Sequence, residues 1–172
     1  MVKALHDNGI GVILDVVYNH TALFDTSNFN LESPNYYYRF SEDGKPSNAS
    51  ACGNETASER AMMRKFMIES VSYWAKEYHV DGFRFDLMGI HDIETMNAIS
   101  KTLKVINPNS LIYGEGWTAG DSPFPPEQRA FKVLTSKMPD VAAFSDEIRD
   151  GLKGPWNDIE GPGFVSGKSG LE

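Results

Sequence analysis

With Cys52 as its only cysteine, the chain can build neither an internal disulfide framework nor a cysteine-based zinc site. Nor do its histidines form a metal motif, since His6, His20, His79 and His91 lack a paired arrangement such as His-Glu-x-x-His. Long apolar runs are missing too: stretches such as 12–14 and 16–18 are soon interrupted by Asp or Asn, far below the run of about 20 residues that crosses a bilayer, which argues against a membrane partner. There is no basic excess, because 24 acidic against 16 basic side chains give a net charge of −8, which repels a phosphate backbone and speaks against nucleic acid. No repeat of fixed period occurs. Nothing in the sequence states compartment or oligomeric state.

What remains is the composition of one globular domain, with buried-strand and helix patterns in alternation. Residues 2–6 read as the last turns of a helix closed by Asn8-Gly9, and not as a secretory signal. The chain ends on turn-forming material, Gly161-Pro162-Gly163 and Gly167-Lys168-Ser169-Gly170, so both ends are expected to be cuts within a longer fold. Residues 10–18, apolar except for Asp15, predict a strand buried on both faces of a parallel sheet. A stretch rich in Asn, Ser, Pro and Gly follows over 21–55, too long for a mere connection and therefore expected beside a site.

Thr56-Ala57-Ser58-Glu59 fits a capping box for a helix carrying Met62, Met63, Phe66, Met67, Val71, Trp74 and Tyr78. A strand is predicted over 83–87, then a helix capped by Asp92 with Ile93, Met96, Ile99, Leu103 and Ile106 on one face and a stop at Asn107-Pro108. Residues 111–113 predict a third strand, 127–136 a helix and 141–144 a fourth strand. Alternation of this kind argues for an α/β fold of parallel β/α units.

Period-two geometry puts Arg84 and Asp86 on one face of their strand. An arginine there can hydrogen-bond the carboxylate, keeping it ionised and fixed in orientation, as a nucleophile requires, although an ion pair plugging a barrel end fits the same residues. Glu115 ends the next strand between Gly114 and Gly116, and the indole of Trp117 would favour its protonated form by desolvation; a loop-stabilising Glu is the alternative. One carboxyl group ionised and another protonated, roughly 5 to 5.5 Å apart, is the arrangement of retaining glycoside hydrolysis. Asp15, Asn19 and His20 close a third strand. His20 could donate to a sugar hydroxyl, and Asn19 could orient a loop or offer a carbonyl to a calcium ion; either could instead merely pin the strand end. Trp117 could line a pocket, while Tyr36, Tyr37 and Tyr38 stay unassigned. Glycosylation triplets begin at Asn19, Asn48 and Asn54 and are discounted, because such matches arise by chance.

Three segments carry a resemblance: Val12-Ile-Leu-Asp-Val-Val-Tyr-Asn-His20, Gly82-Phe-Arg-Phe-Asp-Leu-Met-Gly89 and Tyr113-Gly-Glu-Gly-Trp117. In order and spacing they resemble the first three signature regions of the α-amylase superfamily, glycoside hydrolase family thirteen. The Gly-Glu-Gly-Trp form and the 53–60 stretch are most similar to its type I pullulanases. The resemblance implies a (β/α)8 TIM barrel, of which the chain would supply about strands three to six, and retaining hydrolysis of α-1,6 branch linkages in pullulan or starch-type glucans. It further implies Asp86 as nucleophile, Glu115 as general acid/base, Arg84 and His20 at the subsite of the cut bond, and Asp15 and Asn19 in support. No cofactor is required. The superfamily's fourth region, a His-Asp pair, has no counterpart here, since no His follows Asp146. Little activity is therefore expected of this polypeptide alone. A glucan-branching or other transglycosylating enzyme and a non-catalytic carbohydrate-binding barrel are the competing readings.

Overall fold

A computed structural model describes residues 1–158 and 160–167; Lys168, Ser169 and Gly170 of the expected C-terminal turn lie outside them. Helix α1 (Val2–His6) ends through Gly9 at φ +72° and leads to strand β1 (Ile13–Val16). β2 (Gly82–Phe85), β3 (Leu111–Gly114) and β4 (Ala142–Ala143) follow, and the four strands form one parallel sheet in sequence order. Between β1 and β2 come α2 (Asn28–Glu32), inside the predicted loop, and α3 (Ala61–Glu77). α4 (Ile93–Ile106) joins β2 to β3, and α5 (Asp146–Lys153), which the sequence reading lacked, follows β4 with Ser145 accepting from the Ile148 amide.

Register gives the sheet two chemically distinct faces. Leu14, Phe83 and Ile112 share one row and pack into the core with Met63, Met67, Val71, Met96, Ile99 and Leu103. Full burial of such side chains contributes roughly 1.5–3 kcal/mol each. Asp15, Arg84 and Tyr113 share the adjacent row, whose side chains point to the opposite face.

Three of the strands are shorter than predicted, for local reasons, while β3 runs one residue further, to Gly114. β1 stops at Val16 because the Tyr18 carbonyl accepts from the Thr56 hydroxyl and the Asn19 carbonyl from the Thr56 amide, drawing the chain to the long loop. β2 stops before Leu87, which sits in the left-handed region at φ 39°. The Val141 amide turns back to Met138, leaving β4 two residues long.

The capping box at 56–59 is not formed. α3 begins at Ala61 behind Arg60 with no side-chain cap, because the two box residues are engaged elsewhere, the Thr56 hydroxyl donating to the Tyr18 carbonyl and the Glu59 carboxylate accepting from Arg39; Ser58 serves α4, its hydroxyl donating to Asp92 at 2.7 Å and accepting from the Asp92 amide at 2.9 Å. The predicted Asp92 cap is present, accepting from the Thr95 amide at 2.8 Å. Burial alone would push the Asp92 carboxyl up, but hydrogen bonds from Ser58 and Thr95 and the charge of Arg64 outweigh it and hold it below its ordinary value. Along α3 the buried positions are Met63, Met67, Val71 and Ala75; Met62, Phe66 and Tyr78 of the predicted stripe are exposed. No α-helix covers 127–136, which forms 3-10 turns at Pro126–Gln128 and Lys132–Lys137. There the Ala130 amide bonds the His91 carbonyl and the Lys132 amide bonds Gly116, so N–H groups that a helix would need are used across the fold.

His91 is wholly buried, with neither ring nitrogen hydrogen-bonded among the described residues. Burial, helped by the positive charge of Arg39, pushes its pKa down to about 3. An unfolded chain protonates this ring near pH 6.5, so the unfolded state binds the extra proton and stability falls as pH drops from about 6.5 toward 3. The full effect is on the order of 5 kcal/mol. Urea unfolding of His91→Leu should show a flatter dependence between pH 6.5 and 4.5 than the parent; equal slopes would contradict a neutral His91.

Candidate active site

The C-terminal ends of β1, β2 and β3 deliver polar groups to one place, and Arg84 gathers them. Nη1 donates to Asp15 Oδ1 and Asp86 Oδ1, both at 2.9 Å, and Nη2 donates to Glu115 Oε1 at 2.6 Å. Asp15 is Arg84's register partner on β1; Glu115 follows Gly114, the partner of Phe85, on β3. One planar guanidinium therefore holds three carboxylates, where the sequence reading had paired it with Asp86 alone. Burial pulls the Arg84 pKa down, yet the hydrogen bonds to Asp15 and Asp86 and the charge of Glu115 win and raise it above its ordinary value. Arg84, Asp86 and Glu115 are mostly buried; Asp15, at 65% side-chain exposure, is the open member.

Asp86 is fixed from a second side. Asn19, fully buried, donates its side-chain amide to the Asp86 carbonyl at 2.8 Å and to Oδ2 at 3.0 Å, while its own Oδ1 meets His20 Nδ1 at 2.5 Å. Both Asn19 oxygens thus have a protein partner. The buried Asn19 and Asn54 are also poor glycosylation acceptors. Glu115 Oε2 accepts from the Leu87 amide at 3.1 Å, so the left-handed turn after Asp86 aims a backbone donor at the second carboxyl group.

Glycines let these turns meet. A Cβ on Gly114 would lie 2.5 Å from the Phe85 carbonyl oxygen, and one on Gly116 would collide with the Lys132 backbone. Gly89 donates its amide to the Glu115 carbonyl at 3.0 Å, and a Cβ there would stand 2.5–2.8 Å from the Trp117 backbone. Since backbone cannot step aside cheaply, Gly89→Ala should destabilise the protein by about 1–3 kcal/mol, read from the urea midpoint. An unchanged midpoint would show that this contact carries no constraint.

Trp117 is half-buried, its ring centroid 6.4 Å from that of Phe144. Phe144, absent from the candidates, also lies 5.4 Å from the Tyr113 ring and 6.0 Å from the Arg84 guanidinium carbon. Its signal was present: it ends the fourth strand, as Asp86 and Glu115 end theirs. Tyr38 is wholly buried, bonded to Thr21 and Ser27, and Tyr37 stacks on Phe29, so these two tyrosines build the long segment.

No family model matches the chain. Individual proteins do. Over 167 residues it is 43% identical to a pullulanase of Bacillus subtilis (strain 168), covering 97% of this chain and 23% of that protein. Pullulanase A of Streptococcus pneumoniae serotype 4 is 38% identical over 169 residues, covering 97% of this chain and 13% of that protein. Among solved structures, the pullulanase of Paenibacillus barengoltzii in complex with maltohexaose and alpha-cyclodextrin superimposes with a TM-score of 0.93 at 45% identity, over 98% of this chain and 26% of that one. In sequence and fold the chain is similar to one segment of pullulanases, and it spans about a quarter of their length or less.

Proposed function

We propose that this chain is the part of a pullulanase-type glycosidase that carries its nucleophile and its general acid/base, with α-1,6 branch linkages of pullulan or starch-type glucans as substrate. One observation carries the proposal: Asp86 and Glu115, at the ends of adjacent parallel strands, are held by the same guanidinium. Similarity to pullulanases along nearly the whole chain, and a solved relative holding maltohexaose, support it. Four parallel strands in sequence order fit about strands three to six of a (β/α)8 barrel, with residues 1–172 as a piece of its catalytic domain and 21–55 as a loop on the active-site side.

In the first step an Asp86 oxygen attacks the anomeric carbon, the glycosidic C–O bond breaks, and Glu115 gives its proton to the departing oxygen. The result is a glycosyl ester on Asp86. Water then donates a proton to Glu115 and attacks the same carbon, releasing the Asp86 carboxylate with retention of configuration. Arg84 and the Asn19 amide orient Asp86, the Leu87 amide orients Glu115, His20 donates to a sugar hydroxyl, and Trp117 offers an apolar wall. Asp15 anchors Arg84. This chemistry needs no cofactor.

The test exchanges this chain for the matching segment of the Bacillus subtilis pullulanase and follows pullulan by reducing-end release and anomeric NMR. Linear products released first as the α-anomer support hydrolysis with retention. New branch points without added reducing ends would point to glycosyl transfer, and pullulan binding without turnover by a folded chimera would point to a non-catalytic barrel.

A further inference from the structure

The reaction above leaves a set of buried ionisable side chains unused. Arg39, 4% exposed, donates to Glu59 at 2.7 Å and to the Ile90 carbonyl at 2.8 Å, and its guanidinium carbon lies 4.4 Å from the Phe124 ring centroid. Glu55, wholly buried, accepts from the Ser122 hydroxyl at 2.8 Å and stands 3.9 Å from Arg39; its Oε2 makes no hydrogen bond among the described residues. Arg129 closes the group, donating to the carbonyls of Phe124 at 2.7 Å and Ser122 at 2.5 Å.

Burying such ions costs several kcal/mol apiece unless their geometry repays it. Arg39 and Glu55 belong to the segment around 21–55, yet two of their partners lie elsewhere. Ile90 is in the turn that follows Asp86, and Ser122 is in the loop that follows Glu115. The same loop is tied to this segment again by the Ala119 and Gly120 amides, which share the Ala49 carbonyl. Next to Ile90, Gly89 holds the Glu115 carbonyl, and Leu87 holds its carboxylate. Any relaxation at Ile90 is thus passed to Glu115 through a short run of backbone.

We propose that Arg39 and Glu55 are positioning residues that clamp the turn after Asp86 to the loop after Glu115 and so set the spacing of the two carboxyl groups. Its catalytic sense rests on the function proposed above; the clamp itself does not.

Two measurements separate these. In this chain, Arg39→Met should speed amide hydrogen exchange at Leu87 and Gly89 about tenfold while leaving the interior amides of α4 unchanged, with Arg39→Lys in between. Glu55→Gln, nearly isosteric, should give a smaller change of the same pattern and serves if Arg39→Met does not fold. Unchanged exchange at Leu87 and Gly89, or equal acceleration throughout α3 and α4, would overturn the proposal. In the active chimera, Arg39→Met should lower kcat by about 10- to 100-fold with KM nearly constant, the mark of misplaced reacting groups. A rise in KM at constant kcat would overturn it. An inactive wild-type chimera would refute the functional reading, while the exchange data would still decide the clamp.

Discussion

Asp86→Ala and Glu115→Gln, introduced singly into the active chimera, should each lower pullulan hydrolysis by about 10³-fold or more while pullulan binding persists. The two losses should differ in kind. Without the Asp86 oxygen there is no atom to form the glycosyl ester, so the loss extends to every substrate. Glu115→Gln removes the proton donor for the leaving group, so a glucoside with a phenolate-type leaving group, which needs no protonation, should recover its first step and accumulate the ester. Mass spectrometry of the trapped protein would locate that ester. Wild-type turnover by either variant, or an ester on a residue other than Asp86, would refute the assignment.

The second large effect belongs to Arg84, which lies between Asp15, Asp86 and Glu115. Arg84→Met leaves three carboxylates near one another with no shared cation, and kcat/KM should fall on the order of 10²-fold. Arg84→Lys should recover little, because one ammonium cannot give Asp86 and Glu115 the divergent donors of a planar fork. Like charges repel, so Arg84→Met should also be less stable than the parent at pH 7. Denaturant titrations of the two proteins check this. An unchanged midpoint would mean that the carboxylates are too well solvated to feel one another.

The placing together of the candidate residues was legible because strand geometry is periodic. Arg84 and Asp86 two apart, Glu115 just past a short apolar run and Asp15 inside another are positions that period two and parallel pairing bring to one sheet end. What could not be read was the choice of partner. Nothing in the sequence says that Ser58 bonds Asp92 at the head of α4, that Arg84 also takes Glu115, or that Asn19 turns its amide toward Asp86. Such choices are made by tertiary approach, as in the 127–136 stretch, whose amides bond His91 and Gly116 across the fold. Leu87 was missed for another reason: its contribution is a backbone N–H, and side-chain chemistry gives no sign of it.

The row shared by Asp15, Arg84 and Tyr113 decides where evolution is free to alter the length of this polypeptide. Removing one residue inside β2 exchanges parity, sending an aromatic ring to the arginine's place and the arginine into hydrocarbon. Adding residues at the exposed tip around Asp43 and Gly44, where the chain reverses between Ser41 and Lys45, leaves every row as it stands. Indels among relatives should therefore gather at that tip and be missing from β1, β2 and β3.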